Sequence, residues 1–351
     1  MAATSFIRHR WKLILNIITI AALIVLIFAI RGQLHQTFAN LFRVNAWALL
    51  LLLPVEFLNY DAQARLYQGL FKAVGNTFRY KTMLAASVEL NFINNVFPSG
   101  GAAGISYFGV RMRGSEVTGA KATVVQLLKL VLLFLSFEVL IVLGLFFLAI
   151  EGHMNGLILL VAGMFTTVMV LGTAAFAFII GSKRRIAGFF TWATRVLNWL
   201  IDLFRKGTNE TIDVANARQL FEDLHENYMV IRGDKRELVR PFMWALLANF
   251  WEVMAVYVVY MAFGHFINFG SVILGYAVAN FAGLVSVLPG GVGIYEGLMT
   301  LVLSATGVPS RLSLPVTVMY RVLNTLIQLP PGYYLYHKAL GRNTESSKLE
   351  Q

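Results

Sequence analysis

Cysteine is absent from this chain of 351 residues, and charged side chains are scarce. Without cysteine the chain can form no disulfide and no thiolate-bound metal or iron–sulfur site. Its six histidines include no pair at the spacing of a zinc site, so no cofactor is expected. Charged residues make up 13% of the chain, against about 25% in ordinary soluble domains. These deficits exclude a disulfide scaffold and argue against a soluble protein.

The sequence also lacks the common motifs of hydrolases and nucleotide-binding enzymes. It contains no H-E-x-x-H, no G-x-x-x-x-G-K-[ST] and no G-x-S-x-G. The glycine-rich stretches PSGGAAG and LPGGVG do not follow a strand of a βαβ unit, so a nucleotide-binding loop is not expected at either. We therefore expect a protein that is not an enzyme.

Long apolar runs dominate what is present, since 58% of the residues are hydrophobic. Several runs reach the roughly 20 apolar residues that cross a bilayer. The first is too long for the apolar region of a signal peptide, so we expect it to be retained. A separate surface helix is expected from Asp61 to Phe78. The predicted spans are residues 13–30, 46–60, 123–150, 157–181, 242–263 and 313–336. The chain is thus predicted to be an all-α integral membrane protein with about six transmembrane helices.

The distribution of basic residues predicts the orientation of these spans. Most of the 29 Lys and Arg residues fall on one side of the membrane, and the other side receives only Arg31, Arg43 and Arg311. Because cytoplasmic loops carry the excess of basic residues, both termini are predicted to be cytoplasmic, in a multi-pass protein of the cell membrane. The net charge of +11 is then explained by this rule and by anionic lipid headgroups, without nucleic acid.

Two similar stretches interrupt the apolar sequence: NFINNVFPSGGAAGIS, which begins at Asn91, and NFAGLVSVLPGGVGIYEG, which begins at Asn280. Each opens with Asn-Phe and reaches a Pro-Gly tip, where proline ends a helix and glycine permits a sharp turn. Irregular backbone inside a membrane must be buried in protein or face water. We predict that each stretch is a re-entrant helical hairpin with its tip in a wet cavity. The predicted site residues here are Asn91, Gly100, Gly101, Asn280, Gly290 and Gly291.

These stretches belong to a weak internal repeat. In each half a span with a carboxylate, Glu56 or Glu252, precedes the hairpin, and a base, Lys129 or Arg321, follows in the next span. Three spans and one hairpin per half give an odd number of crossings, so the halves should be inverted and the hairpins opposed, as in many transporters. The predicted division of this single transmembrane domain is repeat one at residues 1–150 and repeat two at residues 157–338, with an amphipathic cytoplasmic insertion at residues 182–241.

Ionisable residues within the spans are the candidate substrate site, because each costs at least about 2.5 kcal/mol to place in the bilayer centre. Lys129 and Arg321 are predicted to neutralise the phosphate of a lipid that enters between the halves. Glu56, Glu252 and Glu296 are predicted to hold these cations when the site is empty. The alternative is that both bases only lock helices together through fixed salt bridges.

The second stretch and the final span together resemble the signature of the lysylphosphatidylglycerol synthase transmembrane-region family of flippase-like membrane proteins. That resemblance adds Tyr320 to the predicted site. It implies a membrane domain that moves aminoacylated or otherwise modified phospholipids, or lipid-linked precursors, between leaflets. The first stretch lacks the Arg and Gly-Glu that often follow its proline in relatives, which implies a different lipid selectivity. The matching positions are Pro289, Gly290, Gly291, Gly293, Glu296, Gly307, Val308, Pro309, Tyr320, Arg321, Pro331 and Gly332.

Three functional hypotheses follow from these features. The first is a flippase-like protein that translocates an anionic or head-group-modified phospholipid or a lipid-linked precursor. The second is a non-transporting membrane subunit that presents lipid to, or scaffolds, a separate lipid-modifying enzyme or glycosyltransferase. The third is a transporter of small solutes or ions. A flippase should move lipid in liposomes on its own, a scaffold should not, and a solute transporter should have a pocket sealed from lipid.

Overall fold

The computed structural model describes residues 31–41, 44–97, 102–112, 119–152, 154–180, 235–285 and 293–349, with a few isolated positions between these ranges. The predicted first span and most of the amphipathic insertion lie outside the described residues. The same holds for the four glycines of the predicted hairpin tips, Gly100, Gly101, Gly290 and Gly291.

The described residues form helices and contain no β-strand. Besides the helical residues 31–41, a single turn at Ala46–Leu49 and a 3₁₀ turn at Lys235–Leu238, they include nine longer helices. These are α1 Leu52–Ala73, α2 Tyr80–Val96, α3 Ala102–Met112, α4 Gly119–Ile150, α5 Gly156–Ile180, α6 Val239–Ala262, α7 Phe269–Val285, α8 Ile294–Ala305 and α9 Ser310–Leu349.

Three of the described helical stretches are long and apolar enough to cross a membrane: Lys121–Ile150, Gly156–Ala175 and Arg236–Ala262. They lie in α4 and α5 and along α6 with the turn before it, close to the bounds predicted from hydropathy. Phe269–Phe281 and Ile294–Ala305 are apolar but shorter. The chain is therefore an all-helical membrane protein.

Helix α1 differs from its prediction. The span expected at residues 46–60 and the surface helix expected at residues 61–78 are one continuous helix, Leu52–Ala73, so a separate surface helix was wrong. The reason is that hydropathy changes at Asp61, where the apolar stretch ends, but the backbone does not. Asp61 and Arg65 pair four residues apart along the same helix, so the helix continues past the end of its apolar stretch.

Packing joins the first four helices to the last four. Helix α1 lies along α6, α2 packs against α9, and α4 packs against α7. The larger hydrophobic core gathers buried side chains such as Val256, Ile273 and Met319 from α6, α7 and α9. A second core, which includes Phe71 and Phe108, lies among α1 to α4 and takes in Ala245 of α6. Neither half of the chain forms its core alone.

Two of these contacts depend on glycine. A Cβ on Gly270 of α7 would collide with the carbonyl oxygen of Gly144 in α4. A Cβ on Gly332 of α9 would lie 2.5 Å from the Cβ of Phe92 in α2. Small residues let membrane helices approach closely enough for their backbones to touch. The α4–α7 and α2–α9 contacts are therefore both close helix crossings.

Candidate functional site

Polar residues at helical spacing run along the buried faces of α1 and α9. Positions three or four apart lie on one side of a helix, so each run forms a stripe that faces other helices. Of these residues, the sequence predictions included only Glu56, Tyr320 and Arg321. Helical spacing of polar residues in an apolar helix is the signal that would have found the rest. The stripes are Glu56, Asn59, Tyr60, Gln63 and Tyr67 on α1, and Thr317, Tyr320, Arg321, Asn324 and Gln328 on α9.

Glu56 joins the two stripes. Its carboxylate is buried, with the residue 3% exposed, and accepts a hydrogen bond from Nε2 of Gln328 at 3.1 Å. With its amide nitrogen turned toward this carboxylate, Asn324 donates a second hydrogen bond. Gln328 is held in turn by Asn95 of α2, whose Nδ2 donates to its Oε1 at 3.0 Å. Amide groups, and not a base, are therefore the direct partners of Glu56 in the described residues.

Glu252 on α6 is the second carboxylate of this centre. It accepts a hydrogen bond from the Tyr320 hydroxyl at 3.0 Å, and Tyr276 of α7 also lies against it. Glu252 and Glu56 are close enough to interact as like charges, and Lys129 interacts electrostatically with Glu252. The two predicted carboxylates thus share one region of the interior, with Lys129 as a compensating cation.

Lys129 of α4 is held against α1 by neutral groups. Its ammonium lies 3.0 Å from the Tyr67 hydroxyl and 3.3 Å from Oε1 of Gln63. It also sits 4.6 Å from the centre of the Tyr67 ring, a cation–π contact. Nε2 of Gln63 donates a hydrogen bond to Oδ1 of Asn59 at 2.7 Å, which fixes the Gln63 side chain. Lys129 is therefore positioned by the neutral side chains of Gln63 and Tyr67. An anion can bind its ammonium without displacing a carboxylate.

Arg321 of α9 has the opposite arrangement, because it forms an ion pair with Glu296 of α8. Its guanidinium lies 4.7 Å from the ring centre of Tyr295. Glu296 also accepts a hydrogen bond from Nε2 of Gln33 at 2.9 Å. Its other oxygen accepts from the backbone N–H of Gly293 at 2.6 Å. One carboxylate thus caps the start of α8 and neutralises the buried arginine.

The two predicted asparagines differ in their surroundings. Asn91 of α2 donates from Nδ2 to the Tyr60 hydroxyl of α1 at 3.2 Å, which connects it to the α1 stripe. Asn280 is half-buried in α7, and its neighbour Phe281 packs against the rings of Phe134 and Phe165. Among the described residues, a hydrogen bond therefore connects Asn91, but not Asn280, to the polar centre.

Another buried ion pair was not assigned from the sequence. Glu89 of α2 accepts from Nε of Arg111 at 2.8 Å and from the Tyr107 hydroxyl at 2.8 Å. Both donors belong to α3, so this group fastens the two helices on either side of the first Gly-Pro stretch. Charge-assisted hydrogen bonds of this kind are among the stronger ones in proteins. We read this pair as structural.

Glu138 lies apart from the polar centre. It borders an apolar groove of about 740 Å³ between α4 and α6, beside Val139, Leu143 and Phe242. Its Oε1 is buried and has no hydrogen-bond partner in the part of the chain that the structure describes. The groove faces outward with mostly aliphatic walls, so Glu138 has no polar neighbourhood of the kind that surrounds Glu56.

The polar centre combines bases with carboxylates. Among the described residues, no group of three or more His, Asp or Glu side chains could hold a metal ion. The charged groups are two bases, each against a tyrosine ring, and three carboxylates. A cation held by neutral acceptors, as Lys129 is by Gln63 and Tyr67, suits a phosphate or another anionic headgroup.

Comparison with known proteins identifies the family. The family model described as the lysylphosphatidylglycerol synthase TM region matches residues 13–332. One relative, a UPF0104 membrane protein of Methanothermobacter thermautotrophicus, is 24% identical over 168 residues, which is 47% of this chain and 48% of that protein. Another of the same description and organism is 35% identical over 83 residues, or 24% of this chain and 25% of that protein. The chain thus spans about half of one curated relative and a quarter of the other. Since the family model covers most of its length, the chain belongs to the lysylphosphatidylglycerol synthase transmembrane-region family.

Proposed function

We propose that this protein translocates an anionic or head-group-modified phospholipid, or a lipid-linked precursor, between leaflets. The observation that carries the proposal is the pair of buried bases, Lys129 and Arg321, on the fourth and the last described long helix. Each lies against a tyrosine ring within the polar centre. Buried ionisable residues in a membrane protein mark substrate paths more often than they mark simple stability.

An inverted repeat is part of the proposal. In it, α1 to α4 correspond to α6 to α9, and the helix pairs α2–α3 and α7–α8 are the two re-entrant hairpins. The packing supports this correspondence, because α2 lies on α9 while α7 lies on α4, and α1 lies on α6. Exchanging the halves maps the α2–α9 contact onto the α7–α4 contact and leaves the α1–α6 contact in place. Opposed hairpins in such a repeat would place their tips at a shared site.

Lys129 and Arg321 have different roles in the proposed cycle. Lys129, held by the neutral Gln63 and Tyr67, receives the phosphate first because no carboxylate has to leave. Arg321 must exchange Glu296 for the phosphate, so its ion pair closes the site when lipid is absent. Glu56 and Glu252 keep the empty path hydrated and polar, which lets a headgroup cross without facing hydrocarbon.

The test is a lipid-movement assay in liposomes. Purified protein is reconstituted with fluorescent phosphatidylglycerol, and an impermeant reductant destroys the fluorophore in the outer leaflet. We expect the wild type to bring inner-leaflet lipid outward, and Lys129→Gln to slow this at least about tenfold, since one charge-assisted contact is worth about 1.5–3 kcal/mol. Arg311→Gln removes an exposed cation and serves as the matched control.

Each result bears on a separate part of the proposal. Wild-type rates in Lys129→Gln would reject the assigned site. No lipid movement by the wild type would reject translocation and favour a non-transporting subunit that presents lipid to a lipid-modifying enzyme. Movement of phosphatidylcholine as fast as phosphatidylglycerol would reject anionic selectivity.

A further inference from the structure

A cavity lined by charged residues, which do not include Lys129 or Arg321, lies at the end of α1. It has a volume of about 440 Å³ and forms where α1 and the loop before α2 meet the start of α6. We call this cavity the basic pocket. Its charged lining residues are Arg65, Lys72, Arg236, Glu237 and Arg240.

The walls of the basic pocket are fixed by contacts on several sides. Arg65 pairs with Asp61 at 2.8 Å and lies 4.9 Å from the ring centre of Trp244. Nε2 of Gln68 donates to the carbonyl oxygen of Phe78 at 2.9 Å, which ties the loop to α1. The pocket is thus formed by the folded helices themselves.

The α1–α6 contact forms the floor of the pocket. A Cβ on Gly69 would lie 2.8 Å from Cγ of Pro241, so the two helices touch directly there. This contact fixes the spacing of the two helices from which Lys72 and Arg240 extend. A ligand that bridges both helices would therefore meet a preformed arrangement, which lowers the entropic cost of binding.

The basic side chains that line the basic pocket favour an anionic ligand. Even with Arg65 neutralised by Asp61, the pocket wall has Lys72 from α1 and Arg240 from α6, and Glu237 is the carboxylate among its described lining residues. Two cations from different helices at one cavity match a phosphate, which offers several acceptor oxygens to charged donors.

The exposed face of α6 indicates that such a phosphate would belong to a lipid. Arg240, Met243 and Leu247 follow one another at helical spacing, and Met243 and Leu247 are 50% and 36% exposed. This face changes from cationic to apolar within two turns. Such a change matches a lipid whose headgroup lies at the helix start and whose acyl chains run along the helix. Trp244, beside the pocket, is also a residue type enriched at membrane interfaces.

We propose that the basic pocket binds the phosphate of an anionic phospholipid in the leaflet that meets the start of α6. Lys72 and Arg240 contact the phosphate from opposite walls, and the acyl chains lie on the apolar face of α6. The bound lipid joins α1 to α6, the central helix pair. This site depends on α6 crossing the membrane and does not depend on lipid translocation.

Equilibrium binding in neutral detergent tests the proposal. Native mass spectrometry is used to titrate the purified protein with short-chain phosphatidylglycerol, phosphatidylcholine of the same chain length, and inorganic phosphate. We expect phosphatidylglycerol to bind at least about tenfold more tightly than either of the others. Lys72→Gln/Arg240→Gln should weaken its binding at least about tenfold, because two charge-assisted contacts are lost. The matched control is Arg311→Gln/Lys338→Gln, which removes two exposed cations elsewhere.

Two further variants separate charge from folding. Lys72→Arg/Arg240→Lys keeps both charges and should retain binding. Thr77→Glu adds an acid at an exposed position of the pocket wall without removing a cation, and should weaken binding as the double variant does. Unchanged affinity in Thr77→Glu and in Lys72→Gln/Arg240→Gln would overturn the site. Inorganic phosphate binding as tightly as phosphatidylglycerol would overturn the lipid as its ligand.

Discussion

Neutralising Glu296 separates the two interpretations of Arg321, as a substrate ligand or as a helix lock. The Glu296→Gln variant leaves the guanidinium beside a neutral amide, in a site where the side chains of Arg321 and Glu296 are 16% and 5% exposed. Breaking a buried pair from one side costs about 3 kcal/mol of unfolding free energy. Arg321→Gln strands the carboxylate instead and should cost a similar amount.

The double variant Glu296→Gln/Arg321→Gln should lose much less than the sum of the single variants. It buries no unpaired charge, and the new amide at position 296 can still accept from the backbone N–H of Gly293. We expect a loss of about 3–4 kcal/mol rather than about 6, hence a coupling of about 2–3 kcal/mol. Detergent-induced unfolding, followed by the fluorescence of the six tryptophans, measures these differences.

The same double variant then decides the role of Arg321 in lipid movement. If the arginine receives the phosphate, the folded double variant should move lipid at least about tenfold more slowly than the wild type. Wild-type movement by a folded double variant would refute the substrate role and leave a helix lock. Additive losses, within about 0.5 kcal/mol, would refute the coupling on which the reasoning depends.

Two remaining predictions concern the architecture. Because the natural chain has no cysteine, a single introduced cysteine reports which side of the membrane it faces. Ser310→Cys should react with an impermeant maleimide from the same side as His265→Cys. Thr77→Cys should react from the opposite side. Reaction of His265→Cys and Ser310→Cys from opposite sides would contradict the re-entrant hairpin. Gly332→Ala should cost about 1–3 kcal/mol of unfolding free energy, because its Cβ overlaps Phe92. An unchanged unfolding midpoint would contradict that close crossing.

The long apolar helices were predictable because hydropathy alone defines them. Predicted spans 123–150, 157–181 and 242–263 agree with α4, α5 and α6 to within a few residues. Helix α1 was divided incorrectly because hydropathy marks the change to charged residues at Asp61, and such a change does not show whether a helix ends there or continues.

The candidate site was predictable in its charged members and not in their pairing. A charged side chain is costly to place in hydrocarbon, so Lys129 and Arg321 can be identified from the sequence. Which carboxylate contacts which base depends on how α1, α6 and α9 pack. Neutral residues such as Gln63 and Gln328 carry little signal by themselves, because an amide in a membrane helix is common. Their importance follows only from the helices that they connect, and whether the charged residues bind substrate stays a prediction.

The contact between Glu56 and Gln328 has a consequence for biosynthesis. These side chains are 272 residues apart, and at about 5–20 residues per second roughly 15 to 50 s pass between their emergence from the ribosome. During that interval the carboxylate of Glu56 lacks this amide, and α2 waits in the bilayer without α9. The nascent first half therefore has to be tolerated by the insertion machinery or by surrounding lipid, and it reaches its final packing only when the last helix arrives.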